Sequence, residues 1–360
     1  MPAPKNNVKI QSLLSALEDK IQFRDVADVL KAKKLDSAIG WKQLFKKIDG
    51  GASDMLTAYL LTLEKIYNDL VLSGTKEVHI FSLDDPETSR IATAFAQITV
   101  PPGPFTDAYP LPISSTELSK QSRELKLTNK VIHPNGDVSL VFCSVRSEID
   151  KTAYKMNEVT DAVKQAFIGY DSFLAIKRRE FQIFDVVTIR KSLQRLEVLI
   201  DYPDRLRDKE TGEDRCLALL AAVSGSSPKL MQLYEMNMPD NLFPCISALY
   251  QSFGEGLVHS LSFRAPSKSL KRESVVSKDD LRKEPFHEAG IKAVGVITVY
   301  DITVHWEKFF NVEGSASVRI HTPIGGLSTT GSYVRSAKIM EAKNDGAVTA
   351  VVNKLISYSE

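Results

Sequence analysis

An α+β fold is the class that these 360 residues predict, and changes of periodicity along the chain predict it. Apolar residues recur at helical spacing from Asn7 to Ser73, and a strand pattern begins at Glu77. Helical spacing returns after Arg215, and the last ~70 residues alternate with a period of two. The pattern predicts a helical N-terminal unit, a central α+β unit with antiparallel hairpins, a helical connector, and a C-terminal antiparallel sheet covered by a terminal helix.

The composition limits the class of protein. Hydrophobic residues make up 43% and charged residues 25%, which is typical of ordered globular chains. Lys and Arg total 46 against 45 for Asp and Glu, a net charge of +1, so nucleic acid or anionic membrane can be attracted only by a local patch. No apolar run approaches the ~20 residues that cross a bilayer, so no membrane contact is expected.

Location in the cytoplasm follows from two features. The segment Met1-Pro2-Ala3-Pro4-Lys5 has no apolar core, so a secretion signal is not expected. The cysteines, Cys143, Cys216 and Cys245, are odd in number and widely spaced, which favours a reducing compartment.

Five segments follow from the changes of pattern. Residues 1–74 predict a helical bundle-like unit and residues 77–205 a central α+β unit. Residues 206–265 predict a helical segment, residues 266–285 a polar linker or loop, and residues 286–360 a β-rich C-terminal unit.

The helical unit carries the first basic surface. Residues 23–35 and 37–48 have the lengths of a helix-turn-helix pair, which would place lysines on a phosphate backbone. The alternative is a helical bundle whose lysines form its solvated side, since no arginine or asparagine cluster marks the second helix. The lysines on or beside the pair are Lys31, Lys33, Lys34, Lys42, Lys46 and Lys47.

Two carboxylates, Asp84 and Asp85, follow the predicted strand that contains Ile80. Metal-dependent phosphoryl chemistry often places its ligands at such strand ends. The alternative is a helix start, in which Asp85 is the N-cap, Pro86 occupies the first helical position and Glu87 complements the helix dipole.

The central unit is predicted to contain a hairpin around Asn135-Gly136 and a polar helix over residues 152–167. The run Lys177-Arg178-Arg179, close to Phe173 and Phe181, mixes basic and aromatic groups as single-stranded nucleic-acid platforms do. Strand alternation offers the alternative that the rings pack in the core and the charges are solvated. The predicted strands after the helix are residues 172–177, 181–189 and 196–200.

Lys271 and Arg272 belong to the densest basic stretch of the chain, within the polar residues 265–283. A mobile charged linker and a nucleic-acid-binding arm are the two interpretations of this stretch. Beyond it, Gly325-Gly326 predicts the turn of a hairpin, and residues 346–356 predict the helix that covers the sheet. The predicted C-terminal strands are residues 291–303, 305–310, 315–321 and 331–340.

No complete catalytic motif is present in the sequence. His305 and His321 fall in predicted strands and could share a face with Glu307, although isolated strand histidines usually pack as ordinary residues. Asp301, with Glu341 and Lys343 at the end of another predicted strand, offers the carboxylates and lysine of a restriction-like metal site.

Two functions therefore remain. The favoured hypothesis is a non-enzymatic binding or assembly component of a bacterial cytoplasmic complex, without a cofactor. It would dock a protein partner, a second copy of itself or nucleic acid through local basic surfaces. The alternative is a metal-dependent nuclease or phosphohydrolase whose carboxylates converge only in the fold: Asp84 with Asp85, or Asp301 with Glu341 and Lys343.

Overall fold

A computed structural model describes residues 5–18, 20–49, 53–202, 211–276, 279–309, 314–327 and 332–359, and its helices and strands confirm the α+β class. The helices are α1 (Lys5–Glu18), α2 (Phe23–Ala32), α3 (Trp41–Asp49), α4 (Ser53–Leu72), α5 (Asp85–Gln97), α6 (Pro104–Ala108), α7 (Ser115–Leu118), α8 (Asp161–Ala166), α9 (Gly212–Ser224), α10 (Pro228–Met236), α11 (Phe243–Gln251), α12 (Pro285–Val294) and α13 (Asp345–Ser359). The strands are β1 (Gly74–Ser82), β2 (Lys126–Ile132), β3 (Val138–Lys155), β4 (Ser172–Arg190), β5 (Arg195–Asp201), β6 (Leu257–Arg264), β7 (Leu270–Ser274), β8 (Thr298–Trp306), β9 (Ala316–His321) and β10 (Ala337–Ala342).

The ten strands form one antiparallel sheet in the order β2-β3-β4-β5-β1-β10-β9-β8-β6-β7. Strand β1 pairs with β5 on one side and with β10 on the other. Its residues from Val78 to Phe81 are buried on both faces of the sheet, which explains their nearly continuous apolar character. The sheet thus includes strands from both the central and the C-terminal segments.

Two hydrophobic cores lie on opposite faces of this sheet. The first core packs α1 to α4, α11 and α13 against one face, and its residues range from Ile10 to Leu355. The second core packs α5, α9 and α10 against the other face of β1 and β3 to β5. Alternation assigns Leu199 to the first core and Val198 to the second, as a strand buried on both sides requires.

Helices α2 and α3 are joined by residues 33–40, eight residues in all. The turn of a helix-turn-helix unit has three or four residues, so the connection differs from that motif. The rings of Phe23 and Trp41 meet edge to face, with their centroids 5.2 Å apart. This contact explains how the pair packs without a short turn.

Two elements of the central segment differ from the prediction. The predicted helix over residues 152–167 is wrong at its start, because residues 152–155 belong to β3 and pair with β4 up to Lys155↔Ser172. The helix that does form, α8, has only six residues. The predicted strands 172–177 and 181–189 are one continuous strand, β4. Pairing with a neighbouring strand has overridden the local pattern in both places.

In the C-terminal segments, several elements of the structure also differ from the predicted ones. Residues 291–294, predicted as strand, end helix α12, which stops before Gly295 at a φ of 80°. Residues 266–285, expected to form a polar linker or loop, contain strand β7, and Arg282 there is only 2% exposed. Helix α13 confirms the predicted terminal helix. The predicted strand 331–340 begins instead at Ala337, and residue 331 lies outside the described residues.

Gly325 lies in a 3-10 turn within the long connection between the neighbouring strands β9 and β10, rather than in a tight hairpin. Within the described ranges, none of the helices has both the length and the apolar character that a bilayer crossing requires.

Candidate nucleic-acid interface

One half of the sheet has a polar face that the second core does not cover. Within the described residues, the second core contains no member of β6 to β10. The inward residues Val304, Val318 and Ile339 are completely buried, so the residues between them must point to the opposite side. We call this side the polar face; its residues are Leu257, Ser260, Ser262, Arg264, Leu270, Arg272, Ser274, Thr298, Asp301, Thr303, His305, Ser317, Arg319, His321, Lys338 and Met340, together with His259 beside His305.

The charges of the polar face are mainly cationic. It carries Arg264, Arg272, Arg319 and Lys338, with Asp301 as its carboxylate. Asp301 accepts hydrogen bonds from Nε of Arg319 at 2.9 Å and from Nη2 at 2.6 Å. These bonds raise the pKa of Arg319 and neutralise its charge locally. Arg264 and Arg272 add positive charge to this face of a chain with nearly zero net charge.

Flat rings lie beside these cations. The imidazoles of His259 and His305 are stacked, with centroids 5.1 Å apart and planes at 16°. Nδ1 of His305 and Oγ of Ser317 lie 2.9 Å apart, which fixes the orientation of that ring. Nζ of Lys338 lies 4.3 Å from the centre of the Tyr202 ring, a cation–π distance. Imidazole rings and guanidinium planes are groups on which unpaired bases stack.

A cavity of about 380 Å³ borders the polar face at the end of β9, next to His321. Tyr333, Arg335 and Glu213 also line it. The Arg335 guanidinium lies 5.4 Å from the centre of the Tyr333 ring, and its Nε is 3.9 Å from Oε1 of Glu213. The cavity is large enough for a small organic group and offers both a ring and charges to it.

The predicted basic residues occupy three separate places. The six lysines of the helical unit are all exposed, and Lys47 forms an ion pair with Asp36 at 3.1 Å. Lys177 and Arg178 are exposed on β4, and Arg179 follows them in that strand. On β7, Arg272 pairs with Ser262 on the polar face, whereas Lys271 pairs with the core residue Phe263 and therefore points to the opposite side.

The predicted catalytic residues are dispersed. Asp301 pairs with His321, while Met340, the residue before Glu341, pairs with Ser317 four residues earlier on β9. Five residue steps along the strands and two strand spacings separate Asp301 from Glu341 by roughly 20 Å. Such a distance excludes a shared metal ion.

The other residues of the two predicted metal sites, Lys343, Asp84 and Asp85, have other roles in the structure. Lys343 Nζ donates to Oδ1 of Asp25 at 2.6 Å. Oδ1 of Asp84 accepts from the backbone N–H of Glu87 at 2.8 Å, so Asp84 is the N-cap of α5 and the assignment of the cap to Asp85 is wrong. Asp85 is the exposed first residue of that helix. Among the residues that the structure describes, no group of three or more His, Cys, Asp or Glu residues is placed to hold a metal ion.

Sequence reasoning missed most cations of the polar face. Arg319 and Lys338 each have uncharged residues on both sides in the chain, so no run of basic residues marks them. The available signal was the alternation of polar residues 317, 319 and 321 with apolar ones, which identifies a solvated face. It does not reveal that five strands align their polar residues.

The chain matches no protein-family model and no curated protein. Its function therefore has to be inferred from the geometry and charge of the polar face.

Proposed function

We propose that this protein is a non-enzymatic binding component that holds single-stranded nucleic acid on the polar face. The observation that supports the proposal is the contrast between the two halves of the sheet. Helices bury the outward residues of β3 to β5, such as Val187 and Val198, to 0% exposure. The corresponding residues of β6 to β10 are mostly polar, and four of them are cationic.

Such a face suits a flexible strand of nucleic acid. Arg264, Arg272 and Lys338 would contact phosphates, and the stacked His259 and His305 would pack against a base. The five β-strands of the polar face, β6 to β10, together are about 19 Å wide, which accommodates several nucleotides of an extended single strand of nucleic acid. Because the net charge of the chain is +1, this local excess of cations is what would direct binding.

The alternative of a metal-dependent nuclease or phosphohydrolase receives no support from the separation of Asp301 and Glu341.

A cytoplasmic location is also part of the proposal. Cys143, Cys216 and Cys245 are buried free thiols that form no disulfide, which suits a reducing compartment.

Arg272→Ala tests the proposal, and Lys271→Ala is its matched control. The two residues are neighbours on β7, are both exposed and have the same charge, but they point to opposite faces. Binding of a fluorescent oligothymidylate of about 20 nucleotides would be followed by anisotropy at several salt concentrations between about 50 and 200 mM. We expect Arg272→Ala to weaken binding about fivefold and to reduce the slope of log K against log salt by about 0.7.

Lys271→Ala should change neither quantity appreciably, since its side chain lies off the polar face. The proposal fails if the wild-type protein does not bind the oligonucleotide at the lowest salt concentration. It also fails if affinity is independent of salt, or if the two variants weaken binding equally.

A further inference from the structure

Strands β3 and β4 continue beyond the rest of the sheet as a two-stranded arm. The pairing of β2 with β3 ends at Lys126↔Cys143, and the pairing of β5 with β4 ends at Val186↔Leu199. We define the arm as residues 149–178, in which seven cross-strand pairs run from Ile149↔Arg178 to Lys155↔Ser172. The paired part is about 20 Å long, and neither of its edges pairs with another strand of the described sheet.

One side of the arm is both apolar and cationic. Directly paired residues, and alternate residues of one strand, point to the same side of a ribbon, so the register fixes the members of this side. We call it the arm face; its six long side chains are those of Ile149, Lys151, Lys155, Leu174, Ile176 and Arg178, and Ala153 and Ser172 complete it. All eight residues are exposed, and none of them carries a carboxylate.

The arm face is open, whereas the chain itself partly covers the opposite side. Ile149, Leu174 and Ile176 are 49%, 51% and 63% exposed. On the opposite side Phe173 is half-buried, and the centre of the Phe167 ring lies 5.6 Å from the centre of its ring. Three neighbouring apolar side chains in water favour a partner that removes them from it.

The free charge of the arm face lies at Lys151 and Arg178. They belong to adjacent cross-strand pairs and are diagonal neighbours, with Cα atoms roughly 7–8 Å apart. Nearer the tip, the carboxylate of Glu158 lies beside Lys155 and accepts a hydrogen bond from its backbone N–H at 2.9 Å. Two neighbouring cations, with no carboxylate on the arm face, attract anionic groups.

The arrangement of these cations and apolar groups indicates which anionic partner fits. Lys151 lies opposite Ile176, and Arg178 lies opposite Ile149, so the two kinds of side chain alternate instead of forming separate patches. The phosphates of a nucleic acid would meet the cations but would leave the aliphatic side chains in water. The surface of an anionic bilayer offers phosphates and, just below them, acyl chains, and long cationic side chains reach from an apolar contact to the headgroups.

We propose that the arm face binds the surface of a membrane that contains anionic lipids, with Ile149, Leu174 and Ile176 at the boundary between headgroups and acyl chains. Water and headgroups at this depth can bond to the open edges of β3 and β4, so the arm lies on the membrane and does not cross it. Composition predicts no such contact, because only the strand register brings Lys151 and Arg178 together. The proposal does not depend on nucleic-acid binding, since the arm and the polar face lie on different strands.

Co-sedimentation of the full chain with lipid vesicles tests the proposal. The wild-type protein should associate with phosphatidylcholine vesicles that contain phosphatidylglycerol, and much less with pure phosphatidylcholine vesicles. Lys151→Gln/Arg178→Gln should weaken this association about 25-fold, about fivefold for each charge. The matched control is Lys177→Gln, which removes an exposed cation next to Arg178 on the opposite side of the arm and should weaken the association far less.

A second pair of variants tests the apolar contact. Leu174→Ser/Ile176→Ser should weaken association with the anionic vesicles at least about tenfold, because two aliphatic side chains are lost from the contact. Ile39→Ser/Leu61→Ser replaces residues that are 91% and 64% exposed outside the arm, and it should associate as the wild type does. Circular dichroism melting of all the variants checks that they fold, as expected for exposed positions.

The proposal is overturned if the wild-type protein does not associate with the anionic vesicles, or if it associates equally with both kinds of vesicle. It is also overturned if Lys151→Gln/Arg178→Gln associates as strongly as Lys177→Gln, or if Leu174→Ser/Ile176→Ser associates as strongly as the wild type.

Two further results would assign the binding differently and would also overturn the proposal. If Arg272→Ala weakens the association with vesicles as much as Lys151→Gln/Arg178→Gln does, the polar face binds the lipid. If Lys151→Gln/Arg178→Gln loses affinity for the oligothymidylate but not for the vesicles, the arm face contacts nucleic acid.

Discussion

At the scale of single residues, Lys76 of β1 and Asp201 of β5 form a buried ion pair within the sheet, and Lys20 links this pair to the helical segment. Lys76 is completely buried, donates from Nζ to the carbonyl oxygen of Phe184 at 2.6 Å, and lies 3.6 Å from Oδ1 of Asp201. Oδ2 of Asp201 accepts from Nζ of Lys20 at 3.0 Å, just beyond α1. Asp201 thus has two cationic partners, and its loss would remove the carboxylate that forms the ion pair with the buried Lys76.

The pKa values of both members of this pair are lowered, but for different reasons. Burial lowers the pKa of Lys76 from 10.5 to about 8, against the attraction of Asp201. The unfolded chain therefore binds more protons than the folded chain between these values, so this group makes stability rise with pH there. Burial acts to raise the pKa of Asp201, but Lys20 and Lys76 outweigh it and hold that pKa well below 3.8. Its contribution is present above pH 3.8 and is lost as the pH falls.

Asp201→Asn should lower the free energy of unfolding at pH 7 by about 3 kcal/mol, because a buried ion pair is broken. The difference from the wild type should be about 1 kcal/mol smaller at pH 3, where protonation has already removed part of the wild-type contribution. Urea unfolding of both proteins at pH 7 and at pH 3 measures this difference in the free energy of unfolding. Asp28→Asn, at an exposed position, is the control and should change the free energy of unfolding little at either pH. If Asp201→Asn lowered the free energy of unfolding equally at pH 7 and pH 3, the stability would not depend on the lowered pKa of Asp201.

At the scale of elements, the start of α5 shows how closely a sequence pattern can locate a helix. The predicted cap was one residue too late: Asp84 has extended backbone angles, φ −84° and ψ 165°, and its side chain binds the N–H of Glu87. Either aspartate can act as a cap, and Pro86 is tolerated in the first turn in both registers. Which aspartate becomes the N-cap is decided by where β1 ends, and the end of β1 depends on its pairing with the neighbouring strands.

Asp84→Ala should therefore destabilise the protein by about 1 kcal/mol, the usual cost of losing an N-cap. Asp85→Ala removes the same side chain one residue later and should cost only a few tenths of a kcal/mol through the helix dipole. Chemical denaturation of the two variants at pH 7 gives the comparison. A larger loss for Asp85→Ala would restore the cap that the sequence pattern predicted.

At the scale of the whole molecule, contacts link segments that are distant in sequence. Strand β1 pairs with β5 and with β10, and the first core extends from Ile10 to Leu355. Arg190 donates from Nε to Glu197 on β5 at 2.9 Å and from Nη2 to Asp345 on α13 at 2.5 Å. Because these contacts cross the boundaries of the predicted segments, we expect the segments to unfold together.

The two tryptophans provide the test, since Trp41 lies in α3 and Trp306 in β8. In Trp41→Phe and in Trp306→Phe, the remaining tryptophan reports on one end of the chain. Within each variant, the urea midpoint from fluorescence should equal the midpoint from far-ultraviolet circular dichroism. Separate midpoints in either variant would show that the segments unfold independently.

The sequence by itself determined the elements whose periodicity is strong, including α4, α13 and β1, and with them the α+β class. These features depend on residues close together in the chain, and the burial of one helical or strand face is encoded locally. Tertiary structure alone decided that β3 and β4 continue beyond their neighbouring strands and that Arg272, Arg319 and Lys338 share one face of the sheet. It also separated Asp301 from Glu341. Strand order and register are set by pairings between distant residues, which a period of two does not specify.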